Sequence, residues 1–172
     1  MWLFSHKTLL VLSLLSAFTV AQTSPSTLRQ IAGGAGYIFS GTVTAVEFVR
    51  PARPDEVATV RITFRVEEGA RGVRSRQSLV IREWAGLWNG GERYQVGERV
   101  VLALYPPSKL GLTSPVGGPM GRFPVDSSGF LKIPPSQNQM IAADPTFGSR
   151  LQPKNRVSGR SFARMLERAA KE

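Results

Sequence analysis

The sequence predicts an all-β, mainly antiparallel domain: a small barrel of five to six strands followed by a C-terminal α-helix. Short segments rich in β-branched and aromatic residues alternate with glycine- and proline-containing turns. One segment is long and contains an internal glycine, as a strand that bends between two faces of a barrel would. The last residues have instead the apolar spacing of an amphipathic helix. A β-sandwich is the alternative architecture.

The first 21 residues are predicted to be a secretory signal peptide, cleaved after Ala21. Lys7 precedes the apolar stretch TLLVLSLLSAFTV at 8–20, and Thr19 and Ala21 are the small residues that signal peptidase requires. An uncleaved anchor is the alternative, but a spanning helix needs roughly 20 mostly apolar residues and this stretch is shorter. No later stretch is apolar enough to span, so no transmembrane segment is expected after cleavage.

The chain has no cysteine, although small exported eukaryotic domains usually rely on disulfides. We therefore expect a bacterial protein, exported to the periplasm or the extracellular space. Its mature chain would consist of a flexible, glycine-rich lead-in at 22–36 and a single domain at 37–172. We expect this domain to be a monomer.

Two strands are predicted first. YIFSGTVTAVEFV at 37–49 is rich in β-branched and aromatic residues, and Gly41 within it should mark a bulge. VATVRITFRVE at 57–67 follows the turn at 50–56 and alternates cleanly between apolar and polar residues, so it should be half-buried. The residues predicted to face the core are Val60, Ile62, Phe64 and Val66.

Two further strands are SLVIREW at 78–84 and RVVLALY at 99–105, after a turn predicted at 68–76 in which Gly69 and Gly72 act as hinges. Pro106 and Pro107 end the fourth strand, because proline supplies no backbone donor.

The remaining residues predict a hairpin and a helix. GRFPVDSSGFLKI at 121–133 follows a proline- and glycine-rich loop and should turn at 126–129. Residues 134–157 have no regular pattern and are predicted to be irregular. The helix at 161–171 should pack on the barrel through an apolar stripe formed by Phe162, Met165, Leu166 and Ala169.

Four segments, in this order, resemble a known family: GTVTAVE at 41–47, ITFRVEEGARG at 62–72, YQVGERVVLALYPP at 94–107 and SPVGGPMGRFPVD at 114–126. With the final helix, they resemble exported bacterial domains of unknown function that look like the netrin-like, or tissue-inhibitor-of-metalloproteinases, OB fold. The resemblance implies an OB-like five-stranded barrel that acts through protein contact, as a non-catalytic binding or interaction module. It does not imply zinc-protease inhibition, because the inhibitors use an N-terminal cysteine that this chain lacks.

The residue types in the mature chain exclude several kinds of chemistry. His6, the only histidine, would leave with the signal peptide, so a Ser-His-Asp triad and a histidine-ligated zinc are excluded. The carboxylates are scattered without ligand spacing, and Glu67 and Glu68 are neighbours that a strand would point to opposite faces. We expect no enzyme, no catalytic residue, no cofactor and no metal.

Three aromatic residues are candidates for contact with a partner: Trp84, Trp88 and Tyr94, which share one glycine-rich connection. If exposed together, their flat apolar area would anchor a protein or a sugar ring. The alternative is that Trp84 ends a core strand and Trp88 covers the end of the barrel.

The arginines of RVEEGARGVRSRQ at 65–77 are candidates for contact with a polyanion, above all Arg71, Arg74 and Arg76. The chain contains 22 Lys and Arg against 12 Asp and Glu, a formal charge of +10. Export makes nucleic acid an unexpected partner, and an anionic envelope or extracellular polymer the better alternative to a protein. The competing interpretation is an ordinary basic surface turn, because the other basic residues are spread along the chain.

Overall fold

The computed structural model describes residues 27–91, 93–148, 151 and 156–171, so the predicted signal peptide lies outside the described residues. The described chain contains one antiparallel sheet of five strands: β1 (Tyr37–Val49), β2 (Thr59–Arg71), β3 (Ser78–Trp84), β4 (Arg99–Leu104) and β5 (Arg122–Val125). Its helices are α1 (Leu28–Gly34), α2 (Pro135–Ala142), α3 (Pro145–Gly148) and α4 (Gly159–Ala169), with short 3₁₀ helices at Ala85–Trp88 and Gly118–Gly121. The predicted class, an antiparallel sheet with a C-terminal helix, is confirmed.

The strand order is β3-β2-β1-β4-β5, with β1 paired to both β2 and β4. Three consecutive antiparallel strands followed by a fourth that returns beside the first form a Greek key. Within the described residues β3 and β5 do not pair, so the sheet is not closed into a barrel. One hydrogen bond, from the Thr113 N–H to the Arg82 carbonyl at 2.9 Å, ties the segment after β4 to the outer edge of β3.

β1 is irregular at the position predicted for a bulge. Its register against β2 shifts between Ser40 and Gly41, and again between Val43 and Ala45. A Cβ atom on Gly41 would lie 2.8 Å from the carbonyl oxygen of Arg65, closer than side-chain carbons approach backbone. The bulge predicted at Gly41 is confirmed, and it bends the central strand.

The prediction for the end of β2 is wrong. We expected a turn at 68–76 with Gly69 and Gly72 as hinges, but β2 continues to Arg71, and Gly69 is paired with Phe39 of β1. Pairing with the start of the long β1 keeps this polar segment extended. Gly72, with φ +69°, lies in the turn, whereas Gly69 is needed because a Cβ there would lie 2.2 Å from the Val73 carbonyl oxygen.

The sheet has an apolar core on each face. On one face, β1 to β4 bury the inner core, which includes Phe39, Phe64, Ile81 and Leu102, together with Ala85 and Tyr94 from the segment after β3. The residues predicted to face the core from β2 belong to this inner core: Val60, Ile62, Phe64 and Val66. The opposite face packs against the helices. β4 is buried on both faces, which explains its continuous apolar sequence.

The predicted flexible lead-in is wrong for its described part. Residues 22–26 lie outside the described residues, and the rest contains α1. Thr27 and Gln30 form a reciprocal capping box, which satisfies backbone donors at the start of the helix. Leu28, Ile31 and Ala32 recur at helical spacing and are buried in the core of the helix face. The many glycines hid this short amphipathic pattern.

The C-terminal part differs from expectation in one segment. Residues 134–157, predicted to be irregular, contain α2 and α3, whose Met140, Ile141 and Phe147 join the core of the helix face. The predicted turn at 126–129 is present, with Gly129 at φ +86° donating to the Asp126 carbonyl at 2.9 Å. The final helix is confirmed, and its predicted stripe is buried: Phe162, Met165, Leu166 and Ala169. Among the described helices, none is long and apolar enough to cross a bilayer.

Candidate binding surfaces

The three aromatic residues predicted as one contact surface lie in different environments. Trp84 is 51% exposed at the end of β3, whereas Tyr94 is only 1% exposed in the inner core. Trp88 is half-buried, and its ring lies 5.9 Å from that of Tyr94, centre to centre. Tyr94 also packs edge-on against Phe64 at 5.6 Å. Only Trp84 therefore presents most of its ring to a partner.

Glu83 holds the segment after β3 against the sheet. Its side chain is fully buried, and it accepts hydrogen bonds from the Trp88 Nε1 at 3.1 Å and the Tyr94 hydroxyl at 3.3 Å. The Arg93 Nη1 lies 3.5 Å from the same carboxylate. The Glu83 carboxylate therefore holds two aromatic side chains and a guanidinium in place. Its role is to stabilise the fold, not to contact a partner.

The surroundings of Glu83 shift two pKa values. Burial raises the pKa of the Glu83 carboxyl above its ordinary value, and Arg93 together with the hydrogen bonds from Trp88 and Tyr94 offsets part of this rise. Burial, and then the neighbouring Glu83 charge, raise the pKa of the Tyr94 phenol. The phenol therefore keeps its proton and can donate it to Glu83.

From the sequence, Glu83 is one of the scattered carboxylates, which were expected only to form salt bridges with the basic residues. The alternation of β3 could have predicted that Glu83 is buried. Ile81 and Glu83 are two residues apart, so they lie on the same, inner face of the strand. An acidic residue at such a position needs buried donors. Trp88, Arg93 and Tyr94 follow within the same connection and supply them.

Exposed apolar side chains gather at the end of the sheet where β1 turns into β2. We call this set the contact rim, defined by Val49, Val57, Trp84 and Leu110, whose exposed fractions are 39%, 46%, 51% and 66%. Val49, Val57 and Leu110 line one shallow cavity of about 370 Å³. Trp84 pairs across the sheet with Thr59, another residue of that cavity. The cavity is also lined by basic residues: Arg50, Arg53 and Arg82.

Arg71, predicted to contact a polyanion, is engaged inside the fold. Its Nε lies 2.7 Å from the Glu167 Oε2 of α4, and its Nη1 donates to the carbonyls of Ala32 at 2.8 Å and Ala35 at 3.1 Å. Its side chain is 24% exposed. Arg71 thus ties the end of β2 to α1 and α4, and its donors are used within the protein.

Arg74 and Arg76 are exposed in the turn between β2 and β3, but the arginines that converge are a different set. We call this set the arginine face, and it consists of Arg65, Arg76, Arg99, Arg160, Arg164 and Arg168. It lines two adjoining grooves of about 750 and 670 Å³, which share Glu68. Of the three arginines predicted, the structure places only Arg76 in these grooves.

Two glutamates lie beneath the arginine face. The Glu67 carboxylate accepts from the Thr42 hydroxyl at 3.0 Å and lies 3.6 Å from Arg99 and 3.7 Å from Arg160. Its side chain is 17% exposed, whereas that of Arg160 is 62% exposed. Arg164 is 58% exposed and lies 4.0 Å from Glu68. The negative charges are therefore sheltered while the guanidinium groups face solvent.

Neither metal-ligand geometry nor a relative identifies the protein. Within the described ranges, no three His, Cys, Asp or Glu side chains are grouped closely enough to hold a metal ion. Comparison of the chain with protein-family models and with curated proteins gives no match in either. The resemblance to netrin-like domains therefore remains a prediction from the sequence.

Proposed function

We propose that the protein is an exported, non-catalytic binding module of the netrin-like OB type, which contacts a protein partner through the contact rim. The main observation behind this proposal is the group of exposed apolar side chains at one end of the sheet, where Val49, Val57 and Leu110 surround a shallow cavity. Trp84 and the neighbouring Arg50, Arg53 and Arg82 are of the residue types that are enriched at the centre of protein interfaces, and the apolar side chains beside them would exclude water. Export rests on the signal-peptide pattern of residues 1–21.

Three structural features support the OB type. The strand order gives the Greek key on which the partly open OB barrel is built. β1 is long, bulged at Gly41 and paired with two neighbours. The inner core is formed chiefly by the strands themselves, with Ala85 and Tyr94 from the segment after β3, as the interior of a small barrel is.

Charged substitutions in the contact rim test the proposed partner contact. The purified protein should retrieve a discrete protein from an envelope extract at about 0.3 M salt, where exposed charges are strongly screened. The double substitution Val57→Asp with Leu110→Asp should lower that recovery about tenfold, because it places charge in an apolar contact. Both side chains are exposed, so the thermal midpoint should be unchanged.

Val96→Asp is the matched control. Val96 is 67% exposed, and its neighbour Gly97 donates to the Val43 carbonyl in the middle of β1, away from the rim. Recovery should be retained in this variant. Equal losses in the control and in the rim variant, or no discrete protein with the unmodified chain, would contradict the proposed contact.

A second candidate function is favoured by the arginine face: binding of an anionic envelope or extracellular polymer. Six arginines from β2, β4, α4 and the turn after β2 line the two grooves, with two sheltered glutamates beneath them. Exposed ion pairs of this kind are weak, so an anionic polymer can displace the glutamates at small cost. This surface lies on other elements than the contact rim.

Charge reversal measures the contribution of the arginine face. With heparin as the probe, the logarithm of affinity should fall linearly with the logarithm of salt concentration. Reversing Arg76, Arg160 and Arg164 to glutamate should reduce the slope by about two to three and lower low-salt affinity about a hundredfold.

A second variant, with the same net charge as the first, shows whether heparin binds to the arginine face itself or is attracted by the overall positive charge of the protein. It carries glutamate in place of three arginines that line the cavity beside the contact rim: Arg50, Arg53 and Arg82. If the polymer binds on the arginine face, this control should keep most of the salt dependence of heparin affinity. Identical losses in the two variants would show that only the overall charge of the chain attracts the polymer.

A further inference from the structure

β3 lies at one edge of the sheet, and part of its outer side is uncovered. Within the described sheet, it pairs with β2 alone. The other edge strand, β5, is covered, since its Pro124 carbonyl accepts from the Lys132 N–H at 2.8 Å. Its Arg122 carbonyl likewise accepts from the Gln137 Nε2 at 2.8 Å. Proteins usually protect strand edges in this way, because unpaired backbone groups bind other chains.

The hydrogen bonds between β2 and β3 fix which backbone groups of β3 point outward. Before β3, the Val66 N–H donates to the Gln77 carbonyl at 2.8 Å. After β3, the Ala85 N–H donates to the Ala58 carbonyl at 2.9 Å, in the same register. Bonded positions recur at every second residue, so the odd-numbered residues of β3 bond to β2. The even-numbered residues therefore direct their N–H and C=O groups away from the sheet.

Two of these outward residues have free backbone groups. The Arg82 carbonyl is occupied, because it accepts from the Thr113 N–H at 2.9 Å. No described hydrogen bond reaches the outward N–H and C=O groups of Ser78 and Val80. Both residues are exposed, Val80 to 53%. We call residues 78–80 the open edge of β3, a short row of donors and acceptors available to another strand.

The outer face beside the open edge is basic. Arg82 follows Val80 by two residues, and Arg65 lies opposite the residue that precedes Val80 by two. Both arginines are exposed, and neither has an ion pair in the described chain. Arg61, opposite Arg82, is already paired with Glu47. A second copy of this chain, with a formal charge of +10, would set like charges side by side, so the strand that fits carries acidic side chains.

We propose that the open edge of β3 binds an extended, acidic segment of the partner protein, which adds an antiparallel strand beside Val80. An apolar residue opposite Val80 exchanges both backbone hydrogen bonds with it and packs on its side chain. Acidic residues two positions before and after this residue meet Arg82, where the added strand leaves the edge, and Arg65, across the small side chain of Ser78. The inference rests on the proposed function, because β3 also carries Trp84 of the contact rim.

Nuclear magnetic resonance titration of the purified protein tests the pairing, with the peptide acetyl-TETVTET-amide as the probe. We expect a saturable downfield shift of the Val80 amide proton, which gains a hydrogen bond, and little change at Ile81, which already bonds to β2. N-methylation of the probe's valine removes the N–H aimed at Val80 and should weaken binding about tenfold. The matched control carries the methyl group on the threonine before that valine, whose N–H points away from β3, and should bind like the unmodified probe.

Charge reversal tests the acidic preference of the open edge. Arg82→Glu should lower affinity for the probe about tenfold, because it replaces attraction by repulsion. Arg168→Glu makes an equal change of net charge at an exposed position on α4, and it should leave most of the affinity.

Val80→Pro removes the outward donor and no bond to β2, so it should abolish the response to the probe and lower recovery of the partner from an envelope extract about tenfold. Val96→Pro is the matched control. Val96 is exposed and precedes Gly97, at φ +90°, in a turn closed by the Glu98 N–H and the Gln95 carbonyl, and proline suits that position. This variant should retain both activities.

Strand addition is overturned if the Val80 amide does not shift, if the two methylated probes bind equally well, or if Arg82→Glu and Arg168→Glu weaken binding equally. It is also overturned if partner recovery is lost in the rim variant but intact in Val80→Pro, a result that would leave the contact rim as the binding surface. If the unmodified chain retrieves no protein while the probe binds beside Val80, the proposed function fails and the open edge stands as a peptide-binding site.

Discussion

Replacing Glu83 with alanine is expected to lower the free energy of unfolding by about 3–5 kcal/mol, a large fraction of the stability of a domain this size. The carboxylate is fully buried and accepts from both the Trp88 indole and the Tyr94 hydroxyl. Alanine would leave these two donors unpaired, deprive Arg93 of its partner and open a void. Urea unfolding followed by tryptophan fluorescence measures the loss.

Glu83→Gln separates the hydrogen bonds from the charge. Burial raises the pKa of Glu83 above 4.5, its ordinary value. Below that value the side chain is protonated in both the folded and the unfolded protein. As pH rises, the unfolded chain loses its proton first, so the contribution of Glu83 to stability falls until pH passes the folded pKa, and the penalty then stays constant.

Glutamine does not titrate, so the Glu83→Gln protein does not lose this part of its stability as pH rises. Measured from pH 4 to pH 8, the stability of Glu83→Gln relative to the unmodified protein should increase with pH and then level off. At neutral pH this variant should be at least as stable as the unmodified protein, because it keeps an acceptor for Trp88 or Tyr94 without a buried charge. If Glu83→Gln loses as much stability as Glu83→Ala, the ion pair with Arg93 is the main contribution instead.

Strong local patterns explain which parts of the fold could be predicted. Alternation in β2 and the apolar stripe of α4 each reflect one buried face, so sequence spacing alone reveals them. The extension of β2 to Arg71 depends on its pairing with the start of β1. Similarly, α1 is stabilised by burial of Leu28 and Ile31 in a core shared with α4, which follows more than a hundred residues later in the chain.

Contacts between residues far apart in the sequence also determine which arginines are free to bind a polyanion. Arg71 looks like its neighbours in the sequence, but its partner Glu167 is 96 residues away. Arg160 and Arg164 join Arg76 only because α4 packs beside the end of β2. Local composition predicted a basic region and could not tell which arginines support the fold and which face solvent.

Phe162→Ala is expected to cost about 3–5 kcal/mol of unfolding free energy, because Phe162 is the largest side chain that α4 buries. Phe162 is 0% exposed. Its ring meets Phe123 of β5 edge-on at 4.8 Å between centres and Phe147 of α3 at 6.0 Å. Truncation would remove both aromatic contacts at once and leave a cavity between the sheet and the helices.

The Phe162→Ala substitution should also weaken heparin binding. Since α4 carries Arg160, Arg164 and Arg168, loosening the helix should also weaken heparin binding, whereas Arg71 would lose its Glu167 partner. Calorimetry and the heparin titration measure the two effects. Ser161→Ala, a half-buried neighbour on the same helix, is the control and should change stability by about 1 kcal/mol or less. A loss below about 1 kcal/mol for Phe162→Ala would mean that α4 is held by its ion pairs rather than by its apolar stripe.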